Sequence, residues 1–113
     1  MSIYEEERPW GFFRVLASNE KCTVKFLHVN PGQILSKQYH DKRDELWVML
    51  DDGLIVELGE KKFNLEKHEE IFIPKGTVHR LSSEKGGDIL EVSFGEFDEG
   101  DIHRIEDKYG RKK

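Results

Sequence analysis

The sequence has a single cysteine, Cys22, among 113 residues. An intrachain disulfide is therefore impossible, and a reducing compartment is allowed. Because Cys22 alternates with Val24 and Phe26, we interpret it as a small buried hydrophobic side chain rather than a nucleophile. No apolar run approaches the roughly 20 residues of a membrane-spanning helix. The acidic N-terminus also lacks the basic, then apolar, pattern of a signal peptide. We therefore expect a cytoplasmic protein without membrane contact.

The sequence also lacks a coherent excess of positive charge. Its formal net charge is −5, and the basic residues are interleaved with acidic ones along most of the chain. Only the final Arg111, Lys112 and Lys113 form a basic cluster, which fits a solvated chain end. Nucleic-acid binding is therefore not expected. A glycine-rich loop that could cradle nucleotide phosphates is missing too, so we do not expect this chain to form nucleotide sugars.

What the sequence does contain is an apolar period of two over most of its length, with no helical stripe before residue 96. Each such run predicts a β-strand, and glycine-containing turns separate the runs. The clearest runs are Val24, Phe26 and His28, then Leu46, Val48 and Leu50, then Leu54, Val56 and Leu58. We predict one all-β domain over 1–113, with a core over about 8–95 and about ten short strands. The polar segment from 96 to 113 could be a strap, a short final strand or a frayed tail.

Three residues on these segments, His40, Glu45 and His79, are of metal-ligating types. Imidazole and carboxylate together suit Zn²⁺, Mn²⁺, Fe²⁺ and their neighbours. Glu45 shares strand parity with Trp47 and Met49, so it would lie in the core if that face is inward. A buried carboxylate has to be paired or bound to a cation. The alternative is that Glu45 forms an ion pair in solvent and that His79 is a hydrogen-bonded histidine.

The strand face of the residues around His40 can be predicted in the same way. Gln38, His40 and Lys42 share strand parity, so all three would point to one face if that segment is extended. The other histidines, His28, His68 and His103, have no such company. We therefore expect the metal-type pocket to form from His40, Glu45 and His79.

Three runs of the sequence, 31–40, 45–53 and 73–81, resemble the signature blocks of the cupin superfamily. The opening Arg8-Pro9-Trp10-Gly11 and the closing Tyr109-Gly110-Arg111 narrow the resemblance. The chain resembles most narrowly the C-terminal isomerase domain of type II phosphomannose (mannose-6-phosphate) isomerases. This domain is often fused to a mannose-1-phosphate guanylyltransferase. The resemblance covers nearly the whole chain. It implies a double-stranded β-helix, or jelly-roll barrel, with a C-terminal strap over about 96–113, usually as a homodimer.

The resemblance also implies a ligand set for one divalent metal ion. His40, Glu45 and His79 match family ligands, and Gln38 is a possible fourth. Zn²⁺ is the first candidate, with Mn, Fe, Co and Ni as alternatives. This chain departs from the family at Lys42, where a second histidine is common, and a protonated ammonium is no metal ligand.

The activity that the resemblance implies is interconversion of mannose 6-phosphate and fructose 6-phosphate or a related aldose–ketose phosphate pair. The metal would polarise the carbonyl, and Arg43 would hold substrate or stabilise the enediolate. Lys42 or a hydroxide on the metal is the candidate base. Arg80 and Arg111 could bind the phosphate, although the favoured alternative for both is an exposed surface residue. Trp47 would line the sugar pocket.

Two other functions remain open at this point. One is a non-catalytic cupin that binds a sugar or sugar phosphate, which Lys42 favours. The other is a metal-dependent oxygenase of small organic acids, which would use the same ligands.

Overall fold

The computed structural model of the protein describes residues 4–110, which fold into twelve β-strands without a helix. No helix within 4–110 could therefore cross a membrane. The strands are β1 (Tyr4–Arg8), β2 (Gly11–Val15), β3 (Cys22–Val29), β4 (Gln33–Ile34), β5 (Lys37–Tyr39), β6 (Asp44–Met49), β7 (Leu54–Leu58), β8 (Lys61–Leu65), β9 (Glu70–Ile73), β10 (His79–Ser83), β11 (Gly87–Phe94) and β12 (His103–Glu106).

Two antiparallel sheets enclose the core. One has the strand order β12-β5-β10-β7-β8, with β4 also pairing with β10, and the other has the order β3-β11-β6-β9. β1 and β2 form a separate hairpin. The main apolar cluster joins side chains of both sheets, such as Trp47 and Ile89 from one and Val56 and Leu81 from the other. This confirms the predicted all-β cupin fold, in which two sheets bury their facing sides.

Strand β6 is buried on both faces. Its inward residues Glu45, Trp47 and Met49 are almost fully buried, as their shared parity predicts. Its outward residues Leu46 and Val48 belong to a second apolar cluster, which also takes in the half-buried Cys22. This double burial fixes the register of β6, because a slip by one residue would drive Glu45 into the second cluster.

The strand count exceeds the predicted ten. The hairpin β1–β2 was not predicted because β1 reads Tyr-Glu-Glu-Glu-Arg, which shows no apolar alternation. At the other end, β12 pairs with β5 and so contributes a final strand to the larger sheet. Of the predicted C-terminal strap, residues 103–106 form β12, and the name strap is kept below for the segment 95–102, which connects β11 to β12. Strands β3 and β12 are edge strands of their respective sheets, and both contribute residues to the pocket described below.

Candidate metal centre and pocket

The structure brings His40, Glu45 and His79 together. Glu45 lies on β6, His79 begins β10, and His40 directly follows β5. Their ligating atoms all lie within 4.8 Å of one another. His40 Nε2 is 3.6 Å from Glu45 Oε2, and His79 Nε2 is 3.9 Å from Glu45 Oε1. The three side chains are only 4%, 1% and 1% exposed.

Both imidazoles are oriented by backbone carbonyl groups. His40 Nδ1 lies 2.6 Å from the carbonyl oxygen of Asp101, and His79 Nδ1 lies 2.9 Å from that of Thr77. A carbonyl can only accept, so each Nδ1 carries the proton and each Nε2 presents a lone pair in the neutral ring. Burial lowers the pKa of both His40 and His79, which favours that neutral form. Both rings are therefore in the state that binds a metal.

Two buried polar atoms of this region have no hydrogen-bond partner among the described residues. They are Nε2 of His79 and Oε1 of Gln38. A buried polar atom left in this state is costly and calls for a ligand, water or ion. Two neutral imidazoles, one carboxylate and one amide oxygen make a donor set that suits a divalent ion. The residues present therefore fit the metal that the family resemblance implies.

Glu45 accepts hydrogen bonds from Arg43, Trp47 and Ser93 inside the protein, in addition to its contact with Glu91. Arg43 Nε donates to Oε2 over 2.8 Å, Trp47 Nε1 to Oε1 over 3.1 Å, and Ser93 Oγ to Oε2 over 3.3 Å. The ion pair with Arg43 thus exists, but it is buried and does not lie in solvent. Burial alone would raise the pKa of Glu45, whereas hydrogen bonds from Glu91 and Arg43 lower it overall. Glu45 is therefore an ionised carboxylate in the core.

Arg43 connects the three-residue site to the strap. Its Nη1 donates to the carbonyl oxygen of Asp98 over 3.2 Å, and its guanidinium lies 4.6 Å from the centre of the Phe97 ring. Its Nη2 lies 3.4 Å from His40 Nε2. The arginine therefore places positive charge at the edge of the pocket, where the ligand set begins.

Lys42 does not share the face of His40, so the predicted parity is wrong at this residue. Strand β5 ends at Tyr39, and the chain bends at residues 41 and 42. The carboxylate of Asp101 accepts the backbone N–H groups of Asp41 and Lys42 over 2.9 and 3.0 Å, which stabilises the bend. The Lys42 side chain is exposed as a result and does not line the pocket.

Arg80, one of the two arginines predicted to bind phosphate, does not line the pocket. Arg80 alternates with the buried His79 and therefore lies on the opposite face of β10. It donates to the carbonyl oxygen of Leu35 and forms an ion pair with Glu106 over 3.0 Å, so it fastens β12. Arg111 lies outside the described residues.

A cavity of about 200 Å³ opens next to the ligand set. Trp47 lines this cavity, and its ring meets the His79 ring edge-on, with centroids 5.4 Å apart. The lining residues are Lys25, Leu27, Leu35, Ser36, Gln38, His40, Arg43, Trp47, Glu91, Glu99, Ile102 and Arg104.

Five polar residues that line this pocket were not foreseen from the sequence, namely Lys25, Ser36, Glu91, Glu99 and Arg104. Lys25 was missed because the apolar Val24 and Phe26 suggested the opposite face of β3, yet these two are 56% and 62% exposed. Glu91 hydrogen-bonds Glu45, and burial together with that contact raises its pKa to about 8. A sequence feature that could have identified Glu91 as a pocket residue is its position in the apolar run of β11, where an inward carboxyl group is unusual.

A family model for the C-terminal domain of mannose-6-phosphate isomerase matches residues 2–107. The chain belongs to this family. Among its relatives, the alginate biosynthesis protein AlgA of Pseudomonas aeruginosa is 36% identical over 110 residues, which are 95% of this chain and 23% of AlgA. The mannose-1-phosphate guanylyltransferase ManC of Salmonella typhimurium is 38% identical over 112 residues, with the same coverage of 95% and 23%. This member of the mannose-6-phosphate isomerase C-terminal family thus spans about a quarter of the length of those relatives.

Solved structures share the fold of this family member at low sequence identity. A 3,4-ketoisomerase from Helicobacter canadensis superposes with a TM-score of 0.73 at 15% identity, covering 91% of this chain and 89% of that one. A cupin protein from Bacteroides fragilis gives a TM-score of 0.59 at 13% identity, covering 68% and 70%. These likenesses support the cupin fold and carry no information about the reaction.

Proposed function

We propose that this chain is a metal-dependent sugar-phosphate isomerase that interconverts mannose 6-phosphate and fructose 6-phosphate or a closely related aldose–ketose phosphate pair. The observation that carries the proposal is the buried convergence of His40, Glu45 and His79 beside a pocket, in a chain of the mannose-6-phosphate isomerase C-terminal family. The cavity of about 200 Å³ is smaller than the roughly 300–1,000 Å³ of drug-sized sites. It therefore suits one small sugar derivative.

In the proposed site, His40, Glu45 and His79, with Gln38, would hold one divalent ion, with Zn²⁺ as the first candidate. When bound, the ion supplies a Lewis acid that polarises the substrate carbonyl. Arg43, fixed by Glu45 and the strap, would stabilise the oxygen that gains negative charge as a proton moves between neighbouring carbons. Trp47 would pack against the sugar and exclude water. Lys42 points into solvent and has no part in this arrangement.

A coupled assay of mannose 6-phosphate isomerisation tests the proposal. Protein reconstituted separately with Zn²⁺, Mn²⁺, Fe²⁺ and Co²⁺ should turn over substrate with at least one of them, and His79→Ala should remove that activity. His68→Asn is the matched control, because His68 is exposed at a turn with a positive φ that asparagine tolerates. Equal activity of His79→Ala and His68→Asn would contradict the proposal.

One observation favours a second candidate, a non-catalytic cupin that binds sugar phosphate. Lys42 stands where the family commonly supplies another imidazole, and its side chain is exposed. The ligand set is thus one histidine short. Binding of a hexose phosphate without turnover, whichever of the four metals is supplied, would establish this second function instead.

A further inference from the structure

We propose that Lys25 and Arg104 bind the phosphate group of a ligand in this pocket. In the free protein the Glu99 carboxylate forms an ion pair with Lys25, and a phosphate monoester displaces it. The inference rests on the proposed function only in taking the ligand to be a sugar phosphate. It concerns pocket residues other than the candidate ligands and needs no metal.

Lys25 is an inward residue of the edge strand β3, next to Leu27 in the pocket wall. Its Nζ lies 3.1 Å from Glu99 Oε1 and 4.4 Å from the centre of the Phe97 ring. The lysine side chain is 32% exposed, whereas that of Glu99 is 79% exposed. The ammonium is therefore held in the pocket by the ring, while its anionic partner reaches in from solvent.

Arg104 enters the same pocket from β12. Its strand partner is Gln38, so it lies beside the candidate fourth ligand. Lys25 and Arg104 thus line one pocket from edge strands of different sheets. A planar guanidinium binds two phosphate oxygens at once, and a lysine adds a point charge. Two cations that line the same pocket from different sheets suit the binding of a phosphate dianion.

Two other charged residues of the pocket, Arg43 and Glu91, interact with Glu45. Arg43 donates to Glu45 and lies deeper, next to His40. Glu91, the cross-strand neighbour of Lys25, hydrogen-bonds Glu45. Glu99 is therefore the carboxylate that competes for Lys25. An ion pair with so exposed an acid contributes little to stability, so a dianion can replace it.

The test is isothermal titration calorimetry on EDTA-treated protein with inorganic phosphate, mannose 6-phosphate and unphosphorylated mannose. Lys25→Gln should raise the Kd of both phosphates about tenfold, the effect of losing one hydrogen bond to a charged group, and leave any affinity for mannose unchanged. Glu99→Gln should instead lower the Kd of the phosphates, by about two- to fivefold, because it removes a competitor of the strength of a surface ion pair. Since Glu99 is exposed, this variant tests the proposal even if Lys25→Gln does not fold.

The matched control is the ion pair of Lys21 and Glu96. It also joins the region of β3 to the strap, over 2.8 Å, but its side chains are 71% and 78% exposed and do not line the pocket. Lys21→Gln should therefore leave every Kd unchanged. If Lys21→Gln and Lys25→Gln weaken phosphate binding equally, or if neither does, the subsite is refuted.

The outcomes separate this inference from the proposed function. Phosphate binding that depends on Lys25 but comes without turnover would keep the subsite and refute the isomerase. Turnover of mannose 6-phosphate with an unchanged KM in Lys25→Gln would keep the isomerase and refute the subsite.

Discussion

Arg43 contacts both the candidate ligands and the strap, since it lies against Glu45, His40 and Phe97. If its guanidinium stabilises charge that develops during isomerisation, Arg43→Ala should lower kcat roughly 10²-fold and raise KM much less. Steady-state kinetics in the coupled assay measure both constants. Arg8→Ala, which removes an exposed arginine paired with Glu6, should change neither. A change confined to KM would assign Arg43 to substrate binding alone.

His28, an exposed residue that does not line the pocket, gives an independent check of the structure. His28 Nδ1 lies 2.6 Å from Asp88 Oδ1, and this hydrogen bond raises the pKa of His28 above its usual value. The raised pKa means that the pair stabilises the fold below the unfolded-state pKa of about 6.5, and that this stabilisation is lost as the pH rises through the folded-state pKa. An NMR titration should show the raised value in the native protein and a return towards the ordinary value in Asp88→Asn. The same midpoint in both proteins would contradict the pairing.

At the scale of elements, the turn between β10 and β11 packs tightly on the end of β3. A Cβ on Gly86, which has a φ of +79°, would lie 2.9 Å from the backbone nitrogen of Pro31 and the carbonyl oxygen of Val29. Gly59 also has a positive φ, of +60°, but faces open space. Gly59→Ala should cost about 1–2 kcal/mol from the left-handed backbone, and Gly86→Ala about 1–3 kcal/mol more from overpacking. Urea denaturation of both variants measures the difference, and equal losses would show that the close approach is not there.

The elements also show what the sequence could predict. Strands β3, β6 and β7 follow from their alternation, and the inward face of β6 follows because Glu45 shares it with Trp47 and Met49. Alternation alone does not say which face of an edge strand is inward, so Lys25 was missed. The bend that turns Lys42 away depends on Asp101, about 60 residues further along the chain. Such a long-range contact leaves no local pattern in the sequence.

At the scale of the whole molecule, the strap is what closes the pocket. It supplies Glu99 and Ile102 to the lining, Phe97 to Arg43 and Lys25, and the Asp101 carbonyl group to His40. The ligand set therefore depends on the strap as well as on the barrel.

Asp101→Ala should release the bend at residues 41 and 42 and weaken metal binding, which calorimetry with Zn²⁺ can measure. Glu96→Ala, in the same strap, removes a carboxylate that is 78% exposed and pairs with Lys21 outside the pocket. This variant should bind Zn²⁺ as the native protein does, so equal losses would contradict a specific role of Asp101.

The homodimer that the family resemblance implies stays a prediction, because a single chain does not test it. A closed two-fold pair is the commonest soluble assembly. Light scattering should give twice the mass of one chain, and the monomer mass at all concentrations would contradict it.

The central claim is that His40, Glu45 and His79 hold one divalent ion, and the most direct test is the thermal midpoint of EDTA-treated protein titrated with Zn²⁺. A ligand that binds only the folded state stabilises it by about 2.7 kcal/mol at a hundred times its Kd, which for a chain of this size is a rise of roughly 10 °C. We predict that rise for the native protein, and none for His79→Ala. An equal rise in both would show that the three residues do not form the metal site.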